Sequence, residues 1–292
     1  MTYSSSTPFS EYLRIEQSKY PELTFDDIQK LKESLEDDDN LPPISDKKYL
    51  AFLHSCNFDL ELAKKTIQRC YRFHFRIPQV FCELDPLDED IELTYNCLSI
   101  GQMPTVNTDK TDRVLFMMFQ DTNHEMFEYL SLFKYLVMWM NYTLLKYGTC
   151  DGMVIVVDSK GLNWRHIVKI PIGIASKMLK FLEVGLPVRL KAVHVLNAGS
   201  ATQMIMKMVT RFANQELLEK ITLHPVGSKD IFNYISRNEL PAEVGGSGKS
   251  HSFFNDELYN DLVDIRDDFL EQNEVLNNQM MYVNHRLEQD DE

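Results

Sequence analysis

The sequence predicts an α/β protein: a small helical N-terminal domain, then a mixed, largely parallel sheet flanked by helices. Two patterns carry that reading. Over roughly the first 80 residues, apolar side chains recur at spacings of three and four between capping residues and prolines, with no strand-like run. From Val114 onward, short continuous apolar runs alternate with longer helical patterns. That alternation describes crossover units and hence parallel pairing. An apolar fraction of 44% is enough for a packed core.

Met1–Phe9 is polar and expected to be mobile, and the helical reading starts at Glu11. Phe25, Ile28, Leu31 and Leu35 define a helix with Thr24 as its cap, ended by Glu36–Asp39 and Pro42-Pro43. Ser45 or Asp46 caps the next helix, with Tyr49, Leu50, Phe52 and Leu53 on it. Asn57-Phe58-Asp59-Leu60 is a break; Asp59 caps a helix from Leu62 to about Phe75, stopped by Pro78. Asp85-Pro86 and Asp88–Asp90 read as a connector. Val114–Phe119, Met153–Val157, Ala192–Leu196 and Ile221–His224 read as strands. Between them lie helices over Met126–Tyr147, Ile172–Val184 and Ala201–Phe212, with a further turn over Glu216–Ile221. Gly148 ends the first and Gly185 the second. A very polar helical stretch runs from Phe254 to about Leu287. The expected division is residues 11–90, 91–250 and a C-terminal extension over 251–292.

Thirty basic against 44 acidic residues leave a net charge of −14. A chain so acidic does not bind nucleic acid through its bulk charge, because counterion release needs a basic surface. No apolar run nears the roughly 18 residues that span a bilayer. The first twenty residues hold no apolar core of a secretory signal. Cys56, Cys70, Cys82, Cys97 and Cys150 are odd in number and scattered, as reduced thiols of a cytosolic protein would be.

The motifs point away from catalysis. Gly245-Gly246-Ser247-Gly248-Lys249-Ser250 suggests a phosphate loop, but Glu243 stands where its first glycine belongs. Pro241 precedes it, and His251–Phe254 does not read as the helix such a loop requires. Ser200, His194 or His166, and Asp158 lack the nucleophile elbow of a hydrolase. His54-Ser55-Cys56 has the wrong spacing for a helical metal site, and no metal is expected. What stands out is apolar. The helix Met126–Tyr147 is apolar nearly all round, so it meets the sheet on one side and more protein or a ligand on the other. On Ala201–Phe212, Met204, Ile205, Met208, Val209 and Phe212 form one stripe opposite Gln203, Lys207 and Arg211. A Met-rich stripe suits a surface that repacks, such as a lid over an apolar cavity.

These residues resemble the CRAL-TRIO, or Sec14-like, lipid-transfer family, nearest to its tocopherol-transfer and retinaldehyde-binding branch. The match runs from about Ile44 to Gly246. It includes Leu50-x-Phe52-Leu53, Asn57-Phe58-Asp59-Leu60-x-x-Ala63, and Val154-Ile155-Val156-Val157-Asp158-x-x-Gly161. Further along come Leu186–Asn197, Glu219-Lys220-Ile221 and Leu240-Pro241-x-Glu243-x-Gly245-Gly246. The resemblance implies a helical cap domain, a lipid-binding domain with a buried apolar cavity, and a mobile gate beginning near Ala201. It implies no catalysis and no cofactor. The expected function is an intracellular carrier of one hydrophobic molecule (a retinoid, tocopherol, carotenoid or other isoprenoid, or a phospholipid). It would be cytoplasmic, with transient contact to membranes.

Expected cavity residues are Phe116, Met118, Phe133, Val137, Met140, Val154, Val156, Met178, Phe181, Val193, Val195, Ile205 and Met208, with Tyr135, Tyr142 or Thr143 as polar orienters. Arg189, Lys191 and Lys220 fit positions of the family's phosphoinositide-responsive basic cluster. Glu216 and His54-Ser55-Cys56 depart from it. The rival class is a phosphoinositide-sensing interaction module on the same fold.

Overall fold

The computed structural model describes Tyr3, residues 7–103 and residues 112–290, with side chains as far as Val283. The N-terminal part is all helical: α1 (Phe9–Lys19), α2 (Phe25–Glu33), α3 (Asp46–Ser55), α4 (Leu60–Arg76), the single turn α5 (Pro78–Phe81) and α6 (Glu89–Cys97). The expected caps form. The side chains of Thr24, Ser45 and Asp59 accept hydrogen bonds from the backbone N–H groups of Asp27, Lys48 and Leu62. The Asp88–Asp90 stretch is not a connector. Its acids fill the first turn of α6, where the helix dipole favours negative charge.

The rest is built on five strands: β1 (Leu98–Gln102), β2 (Arg113–Phe119), β3 (Met153–Asp158), β4 (Leu190–Ala198) and β5 (Ile221–Pro225), in spatial order β1-β2-β3-β4-β5. β1 is antiparallel to β2; the others pair in parallel. The connecting helices are α7 (Tyr129–Tyr147), the single turn α8 (Trp164–Val168), α9 (Ile172–Val184), α10 (Ser200–Phe212) and the short α11 (Gln215–Glu219). α7 starts later than expected because His124–Met126 form a separate 3-10 turn capped by Asn123. Parallel strands laid down in sequence order by right-handed crossovers place their helices on one face. The other face is covered by irregular chain around residues 231–244.

Alternation along the strands divides the apolar residues. Leu115, Met117 and Phe119 of β2, Ile155 of β3 and Val193 of β4 join the main core with α7 and α9. Val114, Phe116, Met118, Val154, Val156 and Leu196 join a second cluster with Ile231, Ile235, Leu240 and Phe254. Gly246 belongs to that tight cover. A Cβ there would stand 2.0 Å from the Leu240 carbonyl oxygen.

α12 (His251–Asp264) and α13 (Arg266–Asp290) complete the chain. Contrary to the sequence reading, His251–Phe254 are helical, with the Ser250 hydroxyl accepting from the Phe253 N–H. The glycine-rich segment is nevertheless preceded by a 3-10 turn over Ala242–Val244, not a strand. The C-terminal stretch is helical, as expected, and packs on the fold. Asn255 of α12 is buried; its Oδ1 accepts from the Ile100 N–H of the edge strand at 2.9 Å and its Nδ2 donates to the Tyr95 carbonyl at 3.2 Å. Asp261 accepts from Tyr142 and Lys146 of α7. Asn273 of α13 bonds both backbone groups of Leu84, and Arg266 forks onto Asp85.

The N-terminal helices are tied to the sheet by buried polar contacts. The Glu16 carboxylate, fully shielded, accepts from Tyr3, Lys19 and both the N–H and hydroxyl of Thr149. A buried charge needs such a set of donors. Most of the segment Met1–Phe9, expected to be mobile, lies outside the described residues. Tyr3 within it is buried against Tyr12.

Candidate functional site

Between the sheet and the helices lies a cavity of about 230 Å³. Its floor is the carboxyl end of β2 and β3, with Met117, Met118, Phe119 and Val157. Leu132 and Phe133 of α7 form one wall, Ala175 and Leu179 of α9 another. Ile205, Met208 and Val209 of α10 close it, and α8 contributes His166. The sequence accounts for the closing side: the 3.6-residue period of α10 sets Ile205, Met208 and Val209 on one face and Gln203, Lys207 and Thr210 in solvent.

Polar groups at the cavity's rim are mostly partnered. Asp158 accepts from Asn197 Nδ2 at 2.7 Å and from the Lys160 N–H at 2.9 Å. The Ser159 hydroxyl donates to the Leu196 carbonyl and accepts from Thr202. His166 is completely shielded, with its ring 4.7 Å from that of Phe119 and 5.7 Å from that of Phe127. Burial first, and the neighbouring His124 second, hold its pKa below the usual histidine value.

Of the expected cavity residues, Met118, Phe133, Ile205 and Met208 line this space. Phe116, Val154 and Val156 do not: they belong to the second cluster on the opposite face, and Met118, of the same parity as Phe116, touches both that cluster and the cavity at the carboxyl end of β2. Val137, Met140, Met178 and Phe181 are close-packed in the main core. Phe181 meets Phe81 and Phe73 of the helical domain at ring-centroid distances of 4.9 and 5.8 Å. Val193 and Val195 pair with Ile155 and Val157 and stay half-buried on the helix-covered side, outside the cavity lining. On α10, Met204 points outward with 47% of its surface exposed, and Phe212 lies under the Arg211 guanidinium. The expected orienters also fall elsewhere. Tyr142 donates to Asp261, Thr143 to the Met140 carbonyl, and Tyr135 is sealed in the core. Met117, Phe119, Leu132, Leu179 and His166 were missed. For the strand residues no signal was available, since both faces of β2 are equally apolar.

The basic cluster is engaged within the fold. The Arg189 guanidinium donates to the carbonyls of Asp151 and His54 and to Asn57, locking the sheet onto the left-handed turn Asn57-Phe58. Lys191 pairs with Asp112 at 2.5 Å and Lys220 with Glu216 at 2.8 Å. His54, between Arg189 and the ring of Tyr20, is pushed down to about 4 by burial and then by the guanidinium.

All five cysteines are buried free thiols. Among the described residues no group of three or more His, Cys, Asp or Glu could hold a metal ion. Among them, too, no helix is long and apolar enough to cross a membrane.

Sequence comparison agrees with this architecture. Residues 20–91 match the family described as "Pinta-like, UBA domain". The alpha-tocopherol transfer protein-like protein of Mus musculus is 25% identical over 247 residues, covering 80% of this chain and 68% of its own length. That of Homo sapiens is 25% identical over 245 residues with the same coverage. A crystal structure of Sfh5 superposes with a TM-score of 0.46 at 14% identity, over 75% of each chain. Residues 101–246, which hold β2 to β5, most of the cavity lining and α10, match the CRAL/TRIO domain over half of the chain, and the protein belongs to that family.

Proposed function

We propose that the protein carries one hydrophobic molecule in the cavity under α10 and exchanges it at a membrane surface when α10 swings away. The observation that carries this is the pairing of the cavity with an apolar patch outside it. The elements that wall the cavity with His166, Ile170, Ile205 and Met208 expose Trp164 (59%), Val168 (70%) and Met204 (47%) on their outer sides. Ile172, at the start of α9, is 60% exposed as well. Trp164 and Val168, one turn apart on α8 and bordering one surface hollow, suit a surface that meets an apolar phase. Arg165, Lys207 and Arg211 stand on the same helices and favour an anionic interface.

An apolar cargo gains roughly 0.8 kcal/mol per buried CH₂, so exchange requires the lid to open. Closure by a single helix that buries few side chains suits such opening; on α10 only Thr202 and Val209 are buried. The relatives named for alpha-tocopherol transfer make an isoprenoid of that kind the first cargo to try. The interaction-module reading gains nothing here, because the C-terminal stretch packs on the fold through α12 and α13 and Arg189, Lys191 and Lys220 have partners within the fold.

Organic extraction of the purified protein with mass spectrometry should yield a hydrophobic molecule near one per chain. Trp164→Asp combined with Val168→Asp should slow delivery to anionic vesicles several-fold while cargo retention in solution stays unchanged. A protein that yields no lipid and takes up none from donor vesicles would refute the carrier reading. Equal delivery by wild type and the double variant would refute the docking surface.

A further inference from the structure

We infer that His166 selects the cargo: its Nε2–H is the hydrogen-bond donor for a single acceptor oxygen, an alcohol or carbonyl, at one end of an otherwise apolar ligand. This rests on the carrier reading and specifies the chemistry of the same cavity. His166 lines the space, and its Nε2 is a buried polar atom without a hydrogen-bond partner. Its other nitrogen fixes the tautomer. Nδ1 accepts the backbone N–H of Asn163 at 3.2 Å, part of the reciprocal cap that starts α8. A neutral ring whose Nδ1 accepts must carry its proton on Nε2. Burial keeps the ring neutral.

The Tyr129 hydroxyl lies in the same wall and is the competing donor, so the test must show that the preference follows His166. Asp158 and Ser159 are held by Asn197, Lys160, Leu196 and Thr202. A buried N–H without an acceptor disfavours the empty state, so a ligand oxygen that reaches it relieves a cost the protein already bears. The ring is shielded from solvent in this closed form and packed against Phe119 and Phe127. Full contact with the ring needs neighbouring side chains of the wall to yield on binding, which a wall rich in Met and Leu permits. A neutral donor in an apolar site reads one oxygen; it offers no charge to a phosphate headgroup.

The test uses full-length, delipidated protein and two probes of equal length, radiolabelled 1-dodecanol and dodecane. Wild type should prefer the alcohol by about tenfold. His166→Phe should bind dodecane as wild type does and lose the preference. His166→Gln, whose Nε2 occupies a similar place, should recover part of it. Dodecane binding by His166→Phe shows that the cavity has formed. Should that variant not fold, the histidine ¹⁵N spectrum of wild type decides instead: the Nε2 signal should move with dodecanol and not with dodecane. Equal binding of both probes by wild type, a preference that survives in His166→Phe, or the same spectral shift with both probes would overturn the assignment and leave the carrier reading standing. Failure of wild type to bind either probe would overturn both.

Discussion

The two faces of the sheet share strands and residue types and differ in what covers them. On one face, Phe116, Val156 and Leu196 are buried under the segment from Ile231 to Leu240 and under Phe254 of α12. On the other, Met117, Phe119 and Val157 lie half-buried beneath helices and border a cavity of about 230 Å³. A helix is a cylinder about 10 Å across and meets a sheet along a line, leaving a gap between neighbours unless side chains fill it. Irregular chain can hug the pleat. Here the cluster around Phe116 is closely packed, and the helix-covered face keeps an apolar space under α10.

The largest test of that contrast is a pair of phenylalanines. Phe116→Ala on the packed face should cost about 3–5 kcal/mol, read by chemical denaturation, because a void opens in a full cluster. Phe133→Ala on the cavity wall should cost clearly less in delipidated protein. Its main effect should be a smaller rise in melting temperature on loading with lipid. Equal losses for both, with the lipid increment untouched, would mean that the two faces are packed alike.

Gly246 probes the cover of the packed face. An alanine there meets the Leu240 carbonyl oxygen at 2.0 Å and the Pro241 oxygen at 2.8 Å, both backbone atoms. Gly246→Ala should destabilise by roughly 1–3 kcal/mol, leaving affinity for cargo in the folded protein unaltered. A variant as stable as wild type would show that this cover yields.

A smaller effect sharpens the comparison through pH. His194, on the packed face, lies against His224, with 3.1 Å between its Nδ1 and the partner's Nε2, and against the ring of Tyr234 at 4.7 Å. Burial, then His224, push it from 6.5 down to about 4. The unfolded chain therefore takes up a proton that the folded chain refuses. The associated stability is complete above pH 6.5 and drains away as pH falls towards 4, at up to about 1.4 kcal/mol per pH unit. Denaturation curves for His194→Gln should show a shallower loss across that window. A slope identical to wild type would mean that His194 is protonated in the folded state.

Much of the fold was legible because local patterns fixed it. Caps at Thr24, Ser45 and Asp59, the apolar runs of β2 to β5, and Gly148 and Gly185 after α7 and α9 all signal structure within a few residues. β1 was not legible, since Leu98–Gln102 is short, contains Gly101, and is a strand only because it pairs with β2 and is covered by α12. α6 was missed because Asp88–Asp90 reads as a connector, and α12 starts at His251, before the expected Phe254.

The site was legible on α10 and obscure elsewhere. A helix period names the inward residues, so Ile205, Met208 and Val209 could be chosen from the sequence. β2 is apolar on both sides, so nothing in Arg113–Phe119 says whether Phe116 or Met117 faces the helices. Arg189 and Lys191 share a side of an extended segment, which looks like a patch; only tertiary contact turns Arg189 to the Asn57 turn and Lys191 to Asp112.

Local pattern in the chain was enough for the N-terminal helices, the parallel strands β2 to β5 and the apolar stripe of α10, because period, capping and burial preference act over a few residues. Only the tertiary structure decided which strand face stays open, which bases are engaged, and that His166 reaches the cavity with one nitrogen satisfied and the other not. Those outcomes depend on what packs above each residue, and the segments concerned are tens of residues apart in the chain.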